Sequence, residues 1–71
     1  MSIPSPLKLQ RIAKGLRQSD LADLAGTYQT RISRLEYGSA PTPDEVTGIS
    51  KALEVSPDVI FPDHVLVASD E

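Results

Sequence analysis

The sequence of 71 residues contains no cysteine and a single histidine. Without cysteine it has neither a disulfide framework nor a thiolate metal site. His64 has no second ligand at a metal-binding spacing. We therefore expect no metal and no cofactor. A chain this short forms one domain, near the lower limit at which a hydrophobic core alone holds a fold.

Long apolar runs are also missing. Apolar residues come singly or in short groups, so no stretch approaches the roughly 18 residues that span a bilayer. The first residues, MSIPSP, lack the basic and apolar regions of a signal peptide. We expect no membrane association and a cytoplasmic location. Met1 and the acidic end fit a complete small protein.

Charge is unevenly distributed along the chain, whose net charge is −3. Residues 1–38 carry six basic and three acidic residues, a net charge of +3, whereas residues 39–71 carry one basic and seven acidic residues, a net charge of −6. A basic half can face DNA phosphates while an acidic half points away and limits nonspecific adhesion. The alternative is an acidic protein whose basic residues cluster by chance.

Start and stop signals divide most of the chain into five short helices. Ser5-Pro6 and Ser56-Pro57 place a capping serine before a proline suited to the first helical position. Thr42 and Glu45 form a capping box before the fourth helix. Glycines 15, 26 and 38 end the first three helices. No segment favours a sheet, so the predicted fold class is all-α, a compact bundle of five short helices.

Apolar residues between these signals recur at helical spacing. The expected inner faces are Leu21, Ala22, Leu24 and Ala25 in the second helix and Val46, Ile49, Ala52 and Leu53 in the fourth. The bundle is placed at residues 6–62, between an N-terminal arm (1–5) and a tail (63–71). Within the tail, Val65 to Val67 suit a short strand or a partner contact, but a frayed end is favoured.

The second and third helices are predicted to form a helix-turn-helix over about residues 18–37. Only about three residues separate Gly26 from the next apolar pattern, which forces the two helices to cross sharply. Ala22 is small where the helices pack, and Ile32 and Leu35 anchor the third helix to the core. We expect this unit to carry the function.

The stretch from Gln18 to Gly38, QSDLADLAGTYQTRISRLEYG, resembles the phage-repressor family (Cro/CI, XRE-type). The resemblance runs from Leu7 to Phe61 without a gap and ends on ALEVSPD, residues 52–58. It implies a lambda-repressor-like fold and a transcriptional regulator of double-stranded DNA. The third helix would enter the major groove.

The resemblance also implies roles for single residues. The base-reading positions are Gln29, Thr30 and Arg34, whose side chains suit adenine, the thymine methyl and guanine. The residues expected at the DNA backbone are Gln18, Arg17, Tyr28, Arg31 and Arg11. Arg11 is also expected to form a structural ion pair with Glu36. The expected homodimer contact is Val55, Pro57, Asp58 and Phe61, although a core position for Phe61 is favoured.

Three features depart from the family pattern. Arg17 and Tyr28 stand at capping positions although neither side chain can accept from the free amides, so Thr27 is expected to cap the third helix. The loop 39–43 carries no basic residue where the family often has one. Backbone affinity per domain should be modest, and a dimer with recognition helices about 34 Å apart is therefore expected.

The predicted function is a sequence-specific regulator, most simply a repressor that binds an inverted-repeat operator as a homodimer. The alternative is an interaction module of the same fold, such as an antitoxin with a protein partner, although a tail of nine residues argues against it. An enzyme is rejected because no nucleophile with a base, no carboxylate pair in a cleft and no metal set is visible.

Overall fold

A computed structural model describes residues 4–62, and every regular element in that range is an α-helix. The helices in order are α1 (Pro6–Ala13), α2 (Gln18–Ala25), α3 (Gln29–Tyr37), α4 (Pro43–Leu53) and α5 (Pro57–Ile60). The predicted all-α class and the five short helices are confirmed. The tail segment Val65 to Val67 and His64 lie outside the described residues.

The caps predicted for α1 and α4 are present. Ser5 Oγ accepts a hydrogen bond from the Lys8 amide at 3.2 Å. Thr42 Oγ1 accepts from the Glu45 amide at 3.2 Å, and Glu45 Oε1 accepts from the Thr42 amide at 2.8 Å, completing a reciprocal capping box. Ser56 occupies the cap position of α5, but its side chain makes no capping hydrogen bond.

Left-handed residues end or follow the first four helices. Gly26 and Gly38 cap α2 and α3 with φ of 73° and 115°, and Gly15 follows the end of α1 with φ of 71°. These are conformations that side chains with a Cβ resist. Glu54 takes the same role after α4 with φ of 60°. The turn between α2 and α3 therefore depends on Gly26.

The core is centred on α2, which packs on both α3 and α4, while α1 packs on α3 and α5. Gly48 lies at the α2–α4 crossing, where a Cβ would stand 3.0 Å from the Ala25 carbonyl oxygen. Any side chain there would push the two helices apart. The largest fully buried side chains are Leu7, Leu21, Ile32, Val46, Ile49 and Leu53.

The structure corrects the predicted inner face of α2. Leu24 is 61% exposed, whereas Leu21 and Ala22 are buried and Ala25 is half-buried. At roughly 100° per residue, Leu24 lies roughly 110° round the helix from the centre of the buried face. Hydrophobic spacing alone therefore included one residue too many.

Phe61 belongs to the core and not to a dimer surface. It is only 7% exposed and packs in the same cluster as Ile60. The favoured core position is thus confirmed, and Phe61 as an exposed dimer contact is wrong. The reason is that α5 ends at Ile60 and the chain turns its next side chain back into the bundle.

Candidate nucleic-acid interface

The outer face of α3 is polar and exposed. Thr30, Arg34 and Tyr37 follow one another at spacings of four and three residues, and all three are exposed. Residues at this spacing share one helix face. The opposite face buries Ile32 and Leu35. The helix therefore turns its apolar side to the core and presents hydroxyl, guanidinium and phenol groups outward.

The start of α3 carries no side-chain cap. Tyr28 is the cap residue, with φ of −113°, and its side chain makes no capping hydrogen bond. The expectation that Thr27 caps the helix is wrong, since Thr27 lies one position too early. Gln29 and Tyr28 are both exposed there. The start of α3 therefore exposes backbone amides without a side-chain acceptor next to Gln29 and Thr30.

The structure brings Arg11 and Glu36 together, as expected from the sequence. Arg11 Nε donates to Glu36 Oε2 at 2.5 Å, and the two side chains are 10% and 6% exposed. Arg11 Nη1 also donates to the Leu16 carbonyl oxygen at 2.8 Å. A charge pair this deeply buried is stable only because the guanidinium and carboxylate satisfy each other.

Gln18 joins the same pair. Its Nε2 donates to Glu36 Oε1 at 3.1 Å, so the first residue of α2 is tied to α3. Glu36 thereby connects α1, α2 and α3 through one carboxylate. The expected phosphate contact of Gln18 stays a prediction, at a helix start where backbone amides lack internal partners.

Arg17 is the most exposed of the predicted backbone contacts, and it pairs locally with Asp20. Its Nε lies 3.1 Å from Asp20 Oδ2, and the same oxygen accepts from the Arg17 amide at 2.9 Å. The side-chain hydrogen bond from Arg17 holds the pKa of Asp20 below its ordinary value. Asp20 thus accepts from the backbone amide of the cap residue, which is the half of a capping box that needs no acceptor on the arginine side chain.

Arg31 makes contacts that the sequence did not suggest. Its guanidinium donates to both oxygens of Glu45, from Nε at 2.5 Å and from Nη2 at 2.9 Å, and Nη2 also donates to the Ala40 carbonyl oxygen at 2.8 Å. The hydrogen bond from Arg31 is the main reason why the pKa of Glu45 is lowered. The expected phosphate contact therefore competes with an internal carboxylate.

The exposure of Tyr37 and the pairing of Glu45 with Arg31 escaped sequence reasoning. Tyr37 is 92% exposed on the same face as Thr30 and Arg34, and the spacing from Thr30 could have revealed it. Tyr37 also borders a polar cleft of about 420 Å³ beside Lys8. No spacing rule could have paired Glu45 with Arg31, because the two lie on different helices.

The remaining predicted dimer residues lie around the start of α5. Pro57 and Asp58 are exposed and Val55 is half-buried, and the neighbouring Val59 is also exposed. Together they form a small mixed surface of apolar and acidic side chains. A contact between two copies at this surface stays a prediction.

Other kinds of site are not visible in residues 4–62. No group of three histidine, cysteine or acidic side chains in this range is placed to hold a metal ion. No helix in the same range has the length and apolar character needed to cross a membrane.

Comparison with known proteins places these features in one family. A family model described as helix-turn-helix matches residues 7–60, well over half of the chain. The matched range contains α1 apart from Pro6, all of α2 to α5, and every residue of the exposed α3 face. No solved structure gives a significant match.

Proposed function

This chain belongs to the helix-turn-helix family of the phage-repressor (Cro/CI, XRE) type, a family of DNA-binding regulators and not of enzymes, and from that premise we propose a sequence-specific transcriptional repressor. It binds an inverted-repeat operator as a homodimer, with α3 in the major groove. It acts in the compartment that holds the DNA, which we take to be the cytoplasm.

The proposal depends on one observation above all, the exposed polar face of α3 on a helix whose other face is locked into the core. Such a helix can lie in the major groove, which is about 12 Å wide, without disturbing the fold. Its charged, amide and hydroxyl groups match the hydrogen-bonding edges of bases. A helix face that served only solubility would not need these groups to lie on the side of α3 next to its uncapped start.

The proposed base contacts follow from side-chain chemistry. Arg34 suits guanine O6 and N7, Gln29 suits adenine N6 and N7, and the Thr30 methyl suits the methyl of thymine. We add Tyr37, whose exposed phenol lies about one turn beyond Arg34 on the same helix face. Its ring can pack on a sugar while its hydroxyl donates to a phosphate.

The proposed backbone contacts surround the start of α2 and of α3. They are the amides of α2 at Gln18, the exposed Arg17 and Tyr28. Helix starts attract phosphate because their amide groups lack internal acceptors. The guanidinium of Arg11 donates its hydrogen bonds to Glu36 and to the Leu16 carbonyl oxygen. Its proposed role is therefore to hold together the helices that carry the backbone contacts.

A homodimer supplies the affinity that one short helix lacks. The loop 39–43 offers no basic side chain, so a single domain neutralises few phosphates. Two copies related by a two-fold axis place two α3 helices about 34 Å apart, in successive turns of the major groove. The surface of Val55, Pro57 and Asp58 is the proposed contact.

Selection from randomised duplexes tests the proposal. The full chain is equilibrated with random duplexes of about 30 base pairs, roughly three helical turns. Bound DNA is then sequenced over several rounds of selection. Recovery of an inverted repeat is expected. Failure to recover any motif at low or moderate salt would contradict sequence-specific regulation and favour an interaction module.

Arg34→Ala sharpens the test. The variant is expected to lose preference at one or two base pairs of each half-site, with a cost of about 1–3 kcal/mol for the correct base. Lys51→Ala is the matched control, since Lys51 is exposed on α4 and is not among the proposed base or backbone contacts. Equal changes for both variants would mean that Arg34 reads no base.

A further inference from the structure

The guanidinium of Arg31 is held on two of its sides. Nε and Nη2 donate to the two oxygens of Glu45, and Nη2 donates also to the Ala40 carbonyl oxygen. The Arg31 and Glu45 side chains are 29% and 15% exposed. A planar fork that meets a carboxylate in this way is geometrically specific, and a lysine cannot reproduce it.

Glu45 is itself fixed in place. Its Oε1 accepts from the Thr42 amide at 2.8 Å as part of the capping box of α4. One carboxylate therefore caps α4 and holds Arg31. The consequence is a rigid connection from the first turn of α3, through the loop at Ala40, to the first turn of α4.

The first turn of α3 needs such a connection. Its cap residue, Tyr28, supplies no side-chain hydrogen bond. A missing cap costs about 1 kcal/mol of helix stability. The helix packs mainly on α2 and α1. Arg31 is the third residue of α3, so its link to Glu45 restrains the same turn that the absent cap leaves free.

The pairing also changes what Arg31 offers to DNA. Its positive charge lies against a carboxylate, and two edges of the fork are occupied. Only Nη1 stays outside these hydrogen bonds within residues 4–62. A phosphate would have to compete with a neighbour that is already ionised and in contact.

We propose that Arg31 is a positioning residue, held by Glu45 so that the uncapped start of α3 presents Gln29 and Thr30 in a fixed orientation, and that it does not neutralise a phosphate. This inference rests on the proposed function, since it assigns a task within DNA reading. It replaces the backbone contact that the sequence suggested for Arg31.

The test compares two measurements on each variant. The first is the slope of log K against log salt on a random duplex, which counts neutralised phosphates at about 0.9 per contact. The second is the ratio of affinities for a selected duplex and a random duplex of equal length. The variants are Arg31→Ala, Arg31→Lys and Glu45→Gln, with Arg17→Ala as the positive control for the slope and Lys51→Ala as the neutral control.

Positioning predicts an unchanged slope for Arg31→Ala and a fall of about tenfold in the affinity ratio, the size of one lost base contact. The affinity ratio of Arg31→Lys should fall by a similar factor, because an ammonium group cannot form the bidentate contact with Glu45. Glu45→Gln keeps an acceptor for Thr42 but frees the charge of Arg31, so its slope steepens by about 0.9 while the ratio falls.

Opposite results overturn the proposal. A slope that drops by about 0.9 in Arg31→Ala with an unchanged affinity ratio, and a wild-type slope in Arg31→Lys, would make Arg31 a phosphate contact. Wild-type values of both measurements in Glu45→Gln would show that the pair has no part in DNA binding.

A third measurement is independent of DNA. The amides of Arg31 and Ile32 donate to the Tyr28 carbonyl oxygen at 3.0 and 3.1 Å. Their hydrogen exchange in the free protein should quicken about tenfold in Arg31→Ala relative to the amides of α2. Unchanged exchange would contradict the tether. If selection recovers no motif, the proposed function fails, while exchange and the slope on random DNA still decide the role of Arg31.

Discussion

The two ends of α3 are held in different ways. At its C-terminal end, Leu35 is buried and Glu36 receives hydrogen bonds from Arg11 and Gln18 on two other helices. At its N-terminal end, Tyr28 provides no cap and Gln29 is exposed. One end is built into the core, and the other is displayed.

This difference shows how the helix divides its work. Buried, mutually satisfied groups anchor the C-terminal half, so the N-terminal turn can give up the local cap that a helix ordinarily has. The start of α4 makes the contrast plain, because Thr42 and Glu45 cap each other there. α4, whose Glu45 holds Arg31, begins with a full capping box. α3, the helix that we propose to read DNA, begins with no side-chain cap.

The largest expected effect breaks the anchored end. Glu36→Ala leaves Arg11 as a buried, unpaired charge and removes the acceptor of Gln18, so it should lower the free energy of unfolding by about 3–5 kcal/mol. A domain of this size has little more than that in total. We therefore expect loss of helical circular dichroism and of the cooperative thermal transition.

Lys14→Ala is the matched control for Glu36→Ala. Lys14 pairs with Glu54 at 2.9 Å, but both side chains are exposed, and exposed pairs contribute about 0–1 kcal/mol. Glu36→Gln is the milder form of the first variant, since it keeps an acceptor. A Glu36→Ala protein as stable as Lys14→Ala would contradict the anchoring role of the carboxylate.

A smaller effect is expected from adding a cap to α3 and from removing the cap of α4. Tyr28→Ser supplies the missing cap of α3 and should raise the free energy of unfolding by about 1 kcal/mol, whereas Thr42→Ala should lower it by about the same amount. Both changes are read from urea unfolding curves. Tyr28→Ser should at the same time weaken binding to random duplex, because it removes the ring that we propose to contact the DNA backbone. Stabilisation without weaker binding would remove Tyr28 from the proposed interface.

The smallest effect is a dependence on pH. Folding lowers the pKa of Glu45 from its ordinary value near 4.5, chiefly through the hydrogen bond from Arg31. The ionised form therefore stabilises the fold fully above that value, and this contribution disappears as the pH falls through the lowered pKa. Unfolding curves from pH 7 to pH 3 should show the decline, and Glu45→Gln should make it shallower. An equal decline in the variant would assign the effect to other carboxylates, such as Asp20 and Glu54.

Much of the fold could be predicted from local signals. Caps, prolines and glycines place the helix boundaries because they act through hydrogen bonds and backbone angles within a few residues. The burial of Ile32 and Leu35 followed from their spacing. Leu24 was misplaced because periodicity gives the direction of a face but not its width, and the width depends on which helix packs against it.

The sequence by itself determined that the chain forms five short helices with a tight turn at Gly26 and a polar outer side on α3, since each of these depends on neighbours in the chain. Only the tertiary structure decided how that helix is held. The contact of Arg31 with Glu45 and the hydrogen bond from Gln18 to Glu36 join residues that are distant in sequence. Electrostatic and packing energies depend on distances that only the folded chain sets. Those tertiary contacts hold α3 in place although its exposed start has no side-chain cap.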